Sequence, residues 1–237
     1  PQHLVIEGLE LKNADPSTTF FDKTGAEQPW SKNAAGVFVQ RASHVTIRDC
    51  AIHHNGNGLF IGTSGADELT RHVLIEGNEV HTNASDSEWI QHNVYNEASN
   101  VTYQFNRFGP VRRGKQGELG ANIKERSAGV VIRYNIIEDG AHLIGIVDSQ
   151  EARGDNLKDP AFHETWIYGN LLIRGKQPGG ALVHYGGDSG LTDTYRKGQL
   201  HFHHNTVVIK NATHPEYQPT VLDRKSTRLN SSHANIS

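Results

Sequence analysis

The sequence is poor in several features, and each scarcity excludes a class of protein. Its 237 residues contain one cysteine, Cys50, so no intrachain disulfide can form. No apolar run approaches the roughly 18 residues that a membrane-spanning helix needs. The 23 basic residues are outnumbered by 26 acidic ones and do not cluster, which argues against a nucleic-acid partner because phosphate binding relies on grouped cations. Methionine is absent and the chain begins at Pro1, so we expect the native start to lie upstream.

The C-terminal segment differs in character from the rest of the chain. Residues 223–237 read DRKSTRLNSSHANIS, a polar run without alternation or aromatic side chains. This segment resembles the conceptual translation of a sequencing-library adapter, which implies a non-native, disordered tail. We therefore predict one domain over residues 1–222 and expect it to be a fragment truncated at both ends.

An apolar phrase recurs along the predicted domain. Its seven copies lie at 4–11, 45–52, 73–80, 101–108, 130–137, 165–172 and 200–207. In five copies the sixth residue is an asparagine: Asn78, Asn106, Asn135, Asn170 and Asn205. The spacing of 28 to 41 residues between copies is typical of a solenoid, in which each coil tolerates loops of different length. We predict that these asparagines occupy left-handed turns and hydrogen-bond from one coil to the next.

A second set of short alternating segments lies between these copies. They cover 36–43, 58–63, 92–99, 121–128, 143–150 and 181–187, and their period of two with β-branched residues predicts strands. The repeated phrase resembles the coils of right-handed parallel β-helix proteins of the pectate-lyase-like superfamily. This resemblance implies an all-β solenoid of about seven coils and a secreted, periplasmic or cell-surface carbohydrate-active protein, although the fold also hosts other functions.

The second set of strands predicts where chemistry could occur. Aligning the strands on Val94 and Ile123 turns both side chains inward, so the next residues, Tyr95 and Lys124, should face outward on adjacent coils about 4.8 Å apart. Arg126 lies two residues beyond Lys124, and its charge should lower the pKa of the lysine toward a value suited to a base. The alternative is that this face is simply solvated.

These cations suggest an acidic polysaccharide as the partner. We predict that Lys124 removes the proton beside a uronate carboxylate, that Arg126 neutralises that carboxylate, and that Tyr95 or His92 protonates the leaving oxygen. Side chains predicted to extend the groove as sugar contacts are Asn93, Asn122, Asp148, His184 and Tyr185. Two inserted segments, 151–164 and 186–199, should wall the cleft.

The stretch 117–135 also resembles the catalytic strand of alginate and chondroitin lyases of polysaccharide lyase family six, with Glu118, Lys124 and Asn135 at matching positions. The resemblance implies a lyase and leaves Ca²⁺ open as a cofactor, held by acidic side chains such as Glu118 or Glu97. The sequence assigns no metal site, no certain cofactor and no oligomeric state.

A hydrolase and a non-catalytic scaffold are the alternatives to a lyase. Inverting hydrolysis on a β-helix would need clustered carboxylates, and the sequence contains neither Asp-Asp nor Gly-His-Gly. The competing hypothesis is a non-catalytic β-helix that serves as a surface or carbohydrate-binding scaffold.

Overall fold

The structure is a computed structural model, and it describes residues 2–62, 69–85, 91–114, 119–151, 153–175, 179–210 and 220–224. Within these ranges the chain forms three parallel sheets of seven strands and one hairpin, β3 (Thr19–Phe21) with β4 (Glu27–Pro29). In the described part of the chain, the helical structure consists of α1 (Arg153–Asn156) and two short 3₁₀ turns at Pro160–His163 and Thr192–Thr194.

The three sheets share one arrangement, in which equivalent strands of successive coils pair in parallel. The first sheet contains β1 (Gln2–Glu7), β6 (Ser43–Arg48), β9 (Arg71–Glu76), β12 (Ser99–Gln104), β15 (Ala128–Arg133), β18 (Glu164–Tyr168) and β21 (Gln199–His203). The second contains β2 (Glu10–Lys12), β7 (Ala51–His53), β10 (Glu79–His81), β13 (Arg107–Phe108), β16 (Ile136–Glu138), β19 (Leu171–Arg174) and β22 (Thr206–Ile209). The third contains β5 (Ala35–Val39), β8 (Asn57–Ile61), β11 (Val94–Asn96), β14 (Ile123–Glu125), β17 (Ile144–Ile146), β20 (Val183–Tyr185) and β23 (Leu222–Arg224).

The chain passes through the third, first and second sheets in turn before it repeats, so each circuit is one coil of a right-handed parallel β-helix. The predicted fold class is therefore confirmed. Alternate residues of each strand point inward, as at Val45 and Ile47, which are fully buried. Because the register keeps these positions aligned from coil to coil, Ile47 packs in one column with Ile75 and its successors. Each such side chain contributes about 1.5–3 kcal/mol by leaving water.

The predicted asparagine ladder is present at the turn between the first and second sheets. The Nδ2 of Asn106 donates to Oδ1 of Asn135 at 2.9 Å, and Asn78 donates in the same way to Asn106 at 3.0 Å. The predicted left-handed backbone at the asparagines is wrong. The residue before each ladder position adopts it instead, as at Phe105 (φ 58°) and Tyr134 (φ 56°), so the bend falls one residue earlier than predicted.

A second asparagine ladder lies at the turn that leads into the third sheet. Asn83 donates to Asn93 at 3.0 Å, and Asn93 donates to Asn122 at 2.9 Å. Asn93 and Asn122 are fully buried, so the prediction that they face outward as sugar contacts is wrong. The strands begin at Val94 and Ile123, and alternation between faces does not extend into the preceding turn.

The last described strand, β23, continues the third sheet beside β20. Leu222 pairs with Val183, and Asp223 and Arg224 pair with His184 and Tyr185. Two residues of the segment predicted as a tail therefore belong to this strand, while 225–237 lie outside the described residues. No helix in the part of the chain that the structure describes is long and apolar enough to cross a membrane.

Candidate functional site

The outer face of the third sheet carries a column of side chains in register. Tyr95 pairs with Phe60 on one side and with Lys124 on the other, which confirms the predicted adjacency of Tyr95 and Lys124. The next position of the column is Gly145. Because this glycine has no side chain, it leaves space beside Lys124, and a Cβ placed there would lie 3.9 Å from the lysine Cδ. The lysine can therefore extend toward the loop beyond Gly145.

A pocket of about 420 Å³ opens over this column. It is lined by Asn33, Phe60, His92, Tyr95, Leu119, Ala121, Lys124, Arg126, Ala141, His142, Gln150, Glu151 and Asp188. Glu151 comes from the first of the two inserted segments and Asp188 from the second. Both segments thus supply walls, as the sequence predicts.

An ion cluster occupies one side of the pocket. The Asp188 carboxylate contacts Nζ of Lys124 and lies 3.1 Å from Nη2 of Arg126. A second carboxylate, Asp148, lies 3.9 Å from Nη1 of Arg126, and its backbone carbonyl accepts a hydrogen bond at 2.5 Å from the same nitrogen. The Arg126 side chain is only 5% exposed, and its Nε has no hydrogen-bond partner among the described residues. The two cations are therefore bridged by a single loop carboxylate.

The pKa of Lys124 is lowered, as the sequence predicts, but the main cause differs. Burial of the ammonium lowers the pKa most, the Asp188 carboxylate opposes this by raising it, and the Arg126 charge lowers it further. The lysine side chain remains 14% exposed. Removing Asp188 from contact would therefore shift the balance toward the neutral amine, with the Asp148 charge still opposing the shift, at an atom that reaches the pocket.

His92 stands beside Tyr95, and its surroundings argue against the predicted role as the acid. Its Nδ1 accepts a hydrogen bond from the Ala121 amide at 3.0 Å, so the ring proton lies on Nε2. Burial lowers the pKa of His92 to about 3, and the nearby Lys124 and Arg126 charges contribute. The imidazole is therefore neutral near neutral pH, and its Nε2–H can donate a hydrogen bond but is a very weak acid.

Tyr95 holds its proton. Burial raises the pKa of its phenol, and the Glu97 carboxylate adds to the effect. The hydroxyl lies 3.4 Å from Oε2 of Glu97, and the ring stacks on Phe60 with centroids 4.8 Å apart. The Arg126 guanidinium lies 5.9 Å from the ring centroid. Tyr95 is thus a protonated phenol fixed between an aromatic ring and a cation.

Three further predicted sugar contacts are buried, and two of them serve the fold. Asp148 is fully buried and accepts hydrogen bonds from the backbone N–H groups of Asp188 and Ser189, so it anchors the loop that carries Asp188. Tyr185 is 2% exposed and packs in the core, because β20 turns Val183 and Tyr185 inward by alternation. The predictions for Asp148 and Tyr185 as sugar contacts are therefore wrong.

His184 faces outward in the same column as Lys124, but it is covered. It is 5% exposed and stacks on His142 with centroids 4.9 Å apart. Its two ring nitrogens lie 3.1 Å from an Asp223 carboxylate oxygen and 3.4 Å from the Gly187 carbonyl. A direct sugar contact would require these neighbours to move.

The acidic residues considered for calcium are Glu97 and Glu118. Glu97 is buried, and its Oε1 accepts hydrogen bonds of 2.5 Å from Ser149 Oγ and the Gln150 amide. Glu118 lies outside the described residues. In the ranges that the structure covers, no three His, Cys, Asp or Glu side chains converge as metal ligands.

Sequence reasoning missed Asp188, Phe60 and His142. Phe60 shares the register of Tyr95, and this alignment could have identified it. The signal for Asp188 was weaker: one carboxylate in an inserted segment that the sequence already placed beside two cations.

The comparisons with known proteins bear on the fold. A family model described as "Right handed beta helix region" matches residues 33–212. No curated protein and no solved structure matches the chain.

Proposed function

The chain belongs to the right-handed β-helix family, and from that premise we propose that its third-sheet pocket binds an acidic polysaccharide and cleaves it by β-elimination. The family fold supports carbohydrate-active proteins and scaffolds in general. The finer assignment depends on the pocket itself. The proposal also includes a secreted, periplasmic or cell-surface location for the protein, where such polymers occur.

One observation carries the proposal: the Asp188 carboxylate bridges Lys124 and Arg126 inside an open pocket. Arg126, which binds this carboxylate from the chain, can bind a uronate carboxylate in its place, which leaves Lys124 beside the neighbouring carbon. The unpartnered Nε of Arg126 adds a donor beside Nη2, which suits the two-pronged recognition of a carboxylate. Substrate binding therefore displaces Asp188 in this proposal.

The displacement of Asp188 also prepares the base. Without that carboxylate, burial and the Arg126 charge both favour neutral Lys124. The neutral amine takes the proton from the carbon beside the uronate carboxylate. The electrons of that C–H bond form a double bond to the neighbouring carbon, and the glycosidic C–O bond on that carbon breaks. Arg126 stabilises the negative charge that develops on the carboxylate.

The leaving oxygen needs a proton, and Tyr95 supplies it. Its phenol stays protonated because its pKa is raised. A departing alkoxide is a strong base, and the phenol gives it a proton as the C–O bond breaks. Tyr95 is the neighbour of Lys124 in the register, and this adjacency supports the proposed pairing of an acid with a base.

A binding scaffold is the second candidate, and a specific observation favours it. Both cations are already ion-paired with Asp188, and a lysine held in that pair stays charged. If Asp188 stays in place when the sugar binds, the pocket recognises hydroxyl groups and does no chemistry.

One experiment distinguishes the lyase from the binding scaffold. The protein is incubated with alginate, pectate and glycosaminoglycans, and the ultraviolet absorbance of an unsaturated uronate is followed. We expect product from at least one polymer and a loss of about 10²–10⁴-fold in Lys124→Ala. The control Lys210→Ala removes an exposed lysine that pairs with Glu138 on the second sheet and should keep full activity. Binding without product supports the scaffold, and full activity in Lys124→Ala refutes the role of the base.

A further inference from the structure

The outer face of the first sheet carries a second feature, away from the third-sheet pocket. One outward column contains, in register, Val5, Thr46, Leu74, Thr102, Val131, Trp166 and His201. Small side chains at Thr102 and Val131 precede the large indole of Trp166. The change in size leaves a notch of about 310 Å³, and its lining includes Thr102, Val131 and Trp166.

The indole of Trp166 has one face in contact and one face toward the notch. His201 stacks on it with ring centroids 3.6 Å apart and planes 5° from parallel. In the column, Val131 lies on the opposite side of Trp166 from His201. Because Val131 is far smaller than the indole, the ring face on that side extends beyond it into the notch. A flat apolar wall of this kind suits the C–H face of a pyranose ring.

A cation fixed in place forms the polar side of the notch. Arg133 donates to Oε1 of Gln104 at 2.9 and 2.7 Å and to the Tyr168 hydroxyl at 3.1 Å. Its partners among the described residues are thus neutral, and none of the carboxylates described forms an ion pair with it. His203 completes the lining and stacks on Tyr168 with centroids 5.1 Å apart. The notch therefore combines an aromatic wall with a positive charge that has no counter-ion among the residues that the structure describes.

We propose that this notch binds one sugar ring of an acidic polysaccharide, stacked on Trp166 with its carboxylate toward Arg133. Charge complementarity selects an acidic ring over a neutral one, since the buried part of Arg133 has no anionic partner of its own. The notch lies on a different sheet from Lys124, so its role is to hold the polymer and not to cleave it. Two sites on one chain raise the apparent affinity for long polymers more than for short ones. The choice of an acidic sugar follows the proposed function, whereas the sugar-binding notch stands on its own geometry.

The test measures binding of hexasaccharides by calorimetry, with galacturonate, alginate and hyaluronan hexasaccharides as acidic probes and cellohexaose as the neutral one. Lys124→Ala serves as the background, so that the third-sheet chemistry is silent. In this background we expect Trp166→Ala to weaken binding of at least one acidic probe roughly 3- to 10-fold, and Trp166→Phe to weaken it less. Arg133→Gln should weaken the acidic probe and leave cellohexaose unchanged.

The outcomes are distinguishable from a failure of the proposed function. Loss of the unsaturated product in Lys124→Ala tests the third-sheet pocket. Trp166→Ala in a protein that keeps Lys124 should still form this product from short substrates. Equal binding in Trp166→Ala, Trp166→Phe and the parent overturns the notch as a sugar site. Equal binding of cellohexaose and the acidic probes overturns the acidic specificity. Because Trp166→Phe and Arg133→Gln keep most of the packing, they test the proposal even if Trp166→Ala fails to fold.

Discussion

Replacing Asn106 with alanine tests what holds neighbouring coils together. The Asn106 side chain donates to the Ile75 carbonyl at 2.8 Å and to Asn135 at 2.9 Å. Its Oδ1 accepts from the backbone N–H of Asn78 at 2.9 Å and from the Asn78 amide at 3.0 Å. Asn106→Ala therefore leaves at least two buried groups, the Asn78 N–H and the Ile75 carbonyl, without these partners. Each such loss costs about 1–3 kcal/mol, so we expect about 2–6 kcal/mol for the two groups together.

Urea unfolding followed by circular dichroism gives the free energy of unfolding for this comparison. Asn205→Ala is the matched control, because Asn205 accepts the same pair of hydrogen bonds from Asn170 at 3.0 Å but is only partly buried. Water can replace the lost partners there, so the cost should be about half or less of that at Asn106. A cost below about 1 kcal/mol for Asn106→Ala, or an equal cost at both positions, would refute the reasoning.

Three more predictions address the site and its support. Asp188→Asn removes the carboxylate that raises the pKa of Lys124, so the pKa of the lysine should fall further. NMR titration of Lys124 measures this change, and an increase in the pKa would contradict the ion pair between Asp188 and Lys124. The Glu125 carboxylate accepts hydrogen bonds from the Tyr103 hydroxyl at 2.6 Å, the Asn96 side-chain amide at 3.0 Å and the Ser127 backbone N–H at 2.7 Å. Glu125→Gln turns an amide N–H₂ toward one of these donors, so the free energy of unfolding in urea should fall by about 1–3 kcal/mol. An unchanged free energy of unfolding would contradict this network. Burial lowers the pKa of His92 to about 3 from an ordinary 6.5. The stability contributed by the neutral ring is therefore fully present above pH 6.5 and is lost as the pH falls toward 3. The loss in the free energy of unfolding is up to about 1.4 kcal/mol per pH unit. His92→Gln should flatten this dependence in acid-unfolding curves, and an unchanged slope would count against the assignment.

The sequence predicts the fold and part of the site for a physical reason. Coil-to-coil register repeats the same inward pattern, so Val94 and Ile123 could be aligned and the adjacency of Tyr95 and Lys124 followed. The alternation rule applies only within strands, which is why Asn93 and Asn122, in the turn before each strand, were assigned to the wrong side.

Loop residues were harder to place. Asp188 reaches Lys124 because Asp148 anchors the 186–199 segment through its N–H groups, and no periodic pattern encodes the path of such a segment. His92 likewise accepts a hydrogen bond from the Ala121 amide of the next coil. Contacts between segments of different coils, and not local sequence, decide the protonation of this site.

The nature of the chain ends left by the cleaved polymer tests the central claim most directly. After incubation with an acidic polymer, mass spectrometry distinguishes an unsaturated terminal uronate from a saturated one, because hydrolysis adds one water that elimination does not. We predict unsaturated ends whose formation depends on Lys124 and Tyr95 and not on Lys210. Saturated ends, or no cleavage of any acidic polymer by the intact protein, would contradict the assignment of this pocket as an eliminating site.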